Sequence, residues 1–124
     1  MLNYSPHDFI TLEKKVILAK RIIMRKAIVY VQSDRAGVLT EVSPTEYYFE
    51  YDDNYEGDSV SLTMPTSQRK YSYNSFPPFF DGLLPEGEML DGLLENINCS
   101  SNDYFSQLIA IGGNMVGAVT IKLT

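Results

Sequence analysis

Phe76-Pro77-Pro78-Phe79-Phe80-Asp81-Gly82-Leu83-Leu84-Pro85-Glu86-Gly87 packs three phenylalanines, two leucines and three prolines into twelve positions, so it must be both a buried plug and a rigid bend. Pro77 and Pro78 fix their own φ and push the residue before each out of the helical region. A short helix can therefore start at Pro78 and no earlier. Phe79, Phe80, Leu83 and Leu84 follow at the i, i+3, i+4 spacing of one apolar helical face. Pro85 stops that helix, and Gly87 lets the chain turn into the next.

Towards the C-terminus, residues 88–97 read as a second helix with Met89, Leu90, Leu93, Leu94 and Ile97 on its apolar side. A loop leads to a third helix over 103–110, capped by Ser100, Ser101 or Asn102. Gly112-Gly113 ends it, and 116–123 forms a last strand that returns to the sheet. Towards the N-terminus, residues 26–32 and 38–42 form a β-hairpin across a turn at 33–37. Residues 47–51 place Tyr47, Phe49 and Tyr51 on one face. After an acidic turn, residues 60–64 read as a fourth strand with Val60, Leu62 and Met64 inward. The expected core is Phe76, Phe79, Phe80, Leu83, Leu84, Leu93, Leu94, Phe105, Leu108 and Ile109.

The polar stretch 66–73 carries two tyrosines and the only adjacent basic pair of the domain body. It reads either as an exposed connector or as a loop that reaches into a partner, since Tyr and Arg are enriched among interface anchors. The residues it offers for partner binding are Arg69, Lys70, Tyr71 and Tyr73.

At 124 residues and 44% hydrophobic content, the chain suits one domain with a modest core. One cysteine, Cys99, allows no internal disulfide and points to a reducing compartment. No eighteen-residue apolar run and no signal-peptide pattern is visible, so a cytoplasmic protein without membrane association is expected. The net charge of −6 is unevenly spread: residues 1–26 hold six basic groups against two acidic, and the rest holds four against fourteen. So acidic a body would be repelled by nucleic acid and drawn to a basic protein surface.

Within 1–23, Phe9, Leu12, Val16, Ala19 and Ile23 recur at steps of three and four behind a possible N-cap at Asp8, with the lysines mostly off that stripe. Three readings stand open for this amphipathic extension: a helix packed on the domain or a partner, an extension before a start at Met24, or a basic helix on a membrane surface.

Catalytic arrangements are thin. His7 is the only histidine and lies in the extension, so neither a Ser-His-Asp nor a Cys-His arrangement can form in the body. Asp52, Asp53, Glu56 and Asp58 lack the spacing and flanking helices of a calcium loop, and one histidine with one cysteine makes no zinc site. Gly112 to Gly117 followed by Lys122 has the outline of a kinase glycine loop, but the lysine arrives too soon. Nothing there supplies a catalytic aspartate or a magnesium ligand. The expectation is a protein that is not an enzyme, with no cofactor and no metal.

Phe79-Phe80-Asp81-Gly82-Leu83-Leu84-Pro85-Glu86-Gly87, followed by Ile111-Gly112-Gly113-Asn114-Met115-Val116-Gly117-Ala118-Val119, resembles the N-terminal subdomain of the HipA family of serine/threonine kinase toxins. Asp103 to Leu108 sits where that family has a short helix before its glycine motif, and the resemblance runs from about Met24 to the C-terminus. It implies an α+β fold: a small antiparallel, barrel-like sheet of about five strands with helices in the C-terminal half, over 24–124. A HipA toxin continues into a kinase core, whereas this sequence stops at Thr124. That is similar to the split form of the system, in which the small HipS resembles the N-terminal subdomain missing from a shorter kinase, HipT. The resemblance implies an antitoxin that binds and inhibits a HipT-like kinase, with a HipB-like DNA-binding protein as a further partner. It also implies an aromatic side chain pressed towards the kinase active site; with no tryptophan, Tyr71 or Tyr73 would have to serve. Two rivals remain: a structural or activating subunit that completes the kinase and bridges it to the HipB-like protein, and a decayed fragment of a full-length toxin.

Overall fold

The computed structural model describes residues 24–114 and 117–124; the helix expected over 8–23 lies outside the described residues. Period-two alternation builds the sheet. In β1 (Arg25–Val31), Ala27, Val29 and Val31 are buried, while Lys26, Ile28 and Tyr30 face the other way. β2 (Asp34–Ser43) buries Leu39 and Glu41, and β3 (Glu46–Tyr51) buries Tyr47, Phe49 and Tyr51. β4 (Lys70–Tyr73) and β5 (Val119–Leu123) complete an antiparallel sheet in the order β4-β3-β2-β1-β5. Between β4 and β5 lie α1 (Pro78–Asp81), α2 (Gly87–Ile97) and α3 (Tyr104–Ile111), so the expected α+β plan, helices in the C-terminal half, is observed.

The quoted proline-rich stretch plugs the inner face. Pro77 has φ −59° and ψ 132°, which is extended, and the helix starts at Pro78. Phe80 is fully buried 6.1 Å from the Phe49 ring, and Phe76 meets Tyr47 edge-on at 5.4 Å. α1 lasts a single turn, so Phe79, Leu83 and Leu84 are only half-buried against the core.

Four local expectations are corrected. The β1–β2 turn is Gln32-Ser33, with φ 50° and 74°, the double positive φ of a two-residue hairpin turn, and not 33–37. Gly37 belongs to β2, where a Cβ would overlap the Glu50 carbonyl oxygen and come within 2.9 Å of Phe49 Cζ. Residues 60–64 form no strand: Val60 and Met64 are buried, but Leu62 is fully exposed. Their backbone folds around the Tyr51 hydroxyl, which accepts from Val60 N at 2.9 Å and donates to the Met64 carbonyl. The fourth strand is β4, in the stretch read as a polar connector. Finally, the cap of α3 is Asp103, whose side chain accepts from Ser106 N at 3.2 Å.

Gly112 has an ordinary helical φ of −57°, so it does not end α3 through a left-handed conformation. It is needed for closeness: a Cβ there would overlap the Ile121 carbonyl oxygen and lie 2.8 Å from Ile121 Cβ. The glycine motif lets α3 press against β5.

Candidate functional site

The four residues singled out for partner binding lie together at the β4 edge but point different ways. Arg69, just before β4, turns into the long connection from β3. Its guanidinium donates to the carbonyls of Asp52, of Tyr55 at 2.9 Å and of Thr66 at 3.2 Å, and lies 5.5 Å from the Tyr51 ring centre. Arg69 therefore holds the acidic connection in place. Tyr71 and Tyr73 pair across the ladder with Phe49 and Tyr47 and pack, half-buried, against the core. The Tyr71 hydroxyl donates to the Pro65 carbonyl at 2.6 Å. Lys70 and Ser72 are exposed on the opposite face, where the Lys70 ammonium sits 4.7 Å from the Tyr48 ring centre. β4 is an edge strand, so one side of its backbone is open to pairing.

A second cluster, which the sequence reading did not assemble, joins the start of the described chain to α3. Arg25, at the start of β1, donates from Nε to Glu41 Oε1 at 2.7 Å, from Nη1 to Ser106 Oγ at 2.7 Å and from Nη2 to Asp103 Oδ1 at 2.8 Å. The Tyr47 hydroxyl donates to Glu41 Oε2 at 3.1 Å. Glu41 is only 7% exposed, a charge buried on the inner face of a strand and acceptable there because both oxygens are occupied. The detectable signals were a carboxylate at an inward position of β2, in step with Leu39, and the Asp103…Ser106 spacing of a helix cap.

The electrostatics follow from these contacts. Burial pushes Asp103 up, but hydrogen bonds from Arg25 and Ser106 outweigh it and hold the carboxyl below its ordinary range. Burial alone would lower Arg25; Glu41 and Asp103 reverse that and secure its charge. Tyr47 is pushed up by burial and by Glu41, so its hydroxyl keeps its proton and remains a donor. The cluster borders a cleft of about 700 Å³ walled by Pro44, Phe76 and Tyr104. Each charged group in it has its counter-ion inside the cluster, so the arrangement clasps β1, β2, β3 and α3 together. Partial burial and the Asp103 carboxylate raise the Cys99 thiol, the opposite of thiolate activation. Among the described residues, no three His, Cys, Asp or Glu side chains converge as a metal site would require, and no helix is long and apolar enough to cross a membrane.

Comparison with known proteins agrees with this architecture. An uncharacterized protein of Haemophilus influenzae is 29% identical over 102 residues, covering 82% of this chain and 95% of that protein. A solved structure, the N-terminal domain of HipA toxin, aligns with a TM-score of 0.64 at 26% identity, covering 81% of this chain and 92% of that one. The family model for the HipA N-terminal domain matches residues 27–122, from within β1 to within β5. The chain therefore belongs to the HipA N-terminal domain family.

Proposed function

We propose that this protein is the non-catalytic antitoxin component of a split, cytoplasmic toxin–antitoxin system. It binds a HipT-like serine/threonine kinase where the HipA N-terminal subdomain would sit, and inhibits it. The observation that best supports this reading is the Haemophilus influenzae relative, in which the matched 102 residues are 95% of the protein. The domain thus occurs as nearly the whole of a small protein. A body with four basic groups against fourteen acidic ones suits a basic protein surface better than nucleic acid, so a HipB-like DNA-binding protein would join the complex through protein contacts.

In this reading the kinase meets the β4 edge. Lys70 is free to approach a partner, Tyr71 and Tyr73 offer half-exposed rings beside it, and Arg69 keeps the supporting connection folded. The test is growth of cells expressing the HipT-like kinase with and without this chain, together with co-purification of the two. Rescue with co-purification is expected. Co-purification without rescue would replace inhibition by a structural or activating role, and no co-purification would refute the pairing.

A further inference from the structure

The charged walls of the cleft beside Arg25 do not balance. One cation, Arg25, stands between two carboxylates, Glu41 at 2.7 Å and Asp103 at 2.8 Å, and these three are the charged side chains that line the cleft. One negative charge is left over, and Asp103 is the group that can show it. Glu41 is buried, with one oxygen taken by Arg25 and the other by the Tyr47 hydroxyl. The Asp103 side chain is 30% exposed, and its Oδ2 accepts one hydrogen bond among the described residues, from Ser106 Oγ at 2.7 Å. A carboxylate oxygen has room for a second donor.

The neutral part of the wall suits a cation as well. Tyr104 is exposed and lines the cleft with Phe76, the two ring centres 5.6 Å apart. Aromatic ring faces attract positive charge. Arg25 is stacked on Phe105 instead, 4.8 Å from its ring centre, so Tyr104 and Phe76 hold no cation among the described residues. The volume of about 700 Å³ lies within the range of ligand-binding clefts and admits a whole side chain.

We propose that the cleft receives an arginine side chain of the partner kinase, its guanidinium stacked on Tyr104 and donating to Asp103 Oδ2. A flat cation stacks on a ring and forks onto a carboxylate at once, which the compact ammonium of lysine cannot do. The identity of the arginine's owner rests on the kinase-binding reading, whereas the site belongs to this chain alone. Its place fits that reading. Ser75 is exposed, lines the cleft and lies two residues beyond the end of β4, so a partner seated on the β4 edge reaches the opening. Residues 27–124, with four basic groups against fourteen acidic, draw the basic side of such a partner.

The first test follows the backbone amides of the full chain by NMR while N-acetyl-arginine N-methylamide is added to on the order of 10 mM. The matched citrulline compound has nearly the same shape and no charge. Saturable shifts are expected at Ser75, Asn102, Asp103 and Tyr104, with citrulline binding at least about fivefold weaker. Charge placed at Ser75 should act with its sign: Ser75→Lys weakens arginine binding about fivefold, and Ser75→Glu strengthens it. No saturation, shifts centred elsewhere, an equal response to citrulline, or weakening by both substitutions would overturn the site. The second test is co-purification with the HipT-like kinase, where Ser75→Lys should lower the yield. If the natural chain fails to co-purify, the kinase reading falls and the titration still decides the cleft. If Ser75→Lys co-purifies as well as the natural chain, the arginine does not come from the kinase.

Discussion

Arg25 Nη2 donates to Asp103 Oδ1 at 2.8 Å, closing a contact between the first strand and the cap of the last helix. The same guanidinium neutralises the buried Glu41 at 2.7 Å. Removing the cation alone leaves that buried carboxylate uncompensated, whereas removing both leaves only the more exposed Asp103 without its cation. Arg25→Met is expected to lower unfolding stability by about 2–3 kcal/mol. Combining it with Glu41→Leu should recover part of the loss, and urea unfolding of both variants measures the difference.

The pH dependence follows from Asp103. Its folded carboxyl titrates below its ordinary value, so the stability it adds is complete above the unfolded value of about 3.9 and is lost as pH falls through the folded one. Urea midpoints taken from about pH 5 to about pH 2 should fall more steeply for the natural chain than for Asp103→Asn, which has no proton to take up.

Gly112→Ala tests the packing of α3 on β5. The added methyl must displace the Ile121 backbone, not a flexible side chain, so a loss of about 2 kcal/mol is expected by thermal or urea unfolding. Gly113→Ala, where a Cβ meets nothing within 4 Å, is the matched control and should change stability little.

At the β4 edge, stability and binding must be separated. Tyr71 and Tyr73 pack on the core, so replacing both with alanine is expected to cost about 3 kcal/mol and cannot report on kinase contact by itself. Lys70 is exposed but lies over Tyr48 and opposite Glu50 in the ladder, so the uncharged Lys70→Gln, which sets no like charge against Glu50, should cost no more than about 1 kcal/mol. If β4 meets the kinase, that variant weakens co-purification; an unchanged yield would remove Lys70 from the interface.

Much of this fold was legible because alternation and proline placement act locally. Val29, Val31, Phe49 and Tyr51 are inward as their spacing demands, and α1 starts at Pro78 because the ring sets φ. The failures share a cause in tertiary context. Val60, Leu62 and Met64 alternate like a strand, but the Tyr51 hydroxyl satisfies their backbone in a folded connection. Lys70-Tyr71-Ser72-Tyr73 looks polar because an edge strand shows one face to water. Gly37 suggested a turn, while its role is the close approach of β3. The Arg25, Glu41 and Asp103 cluster joins residues up to 78 positions apart, and no local pattern carries that pairing.

The most direct measurement is phosphorylation by the purified HipT-like kinase while this chain is titrated in. An inhibitor that occupies the place of the HipA N-terminal subdomain should extinguish phosphate transfer as the added chain approaches the kinase in amount. A rate that stays constant or rises while the two proteins form a complex would contradict the antitoxin reading.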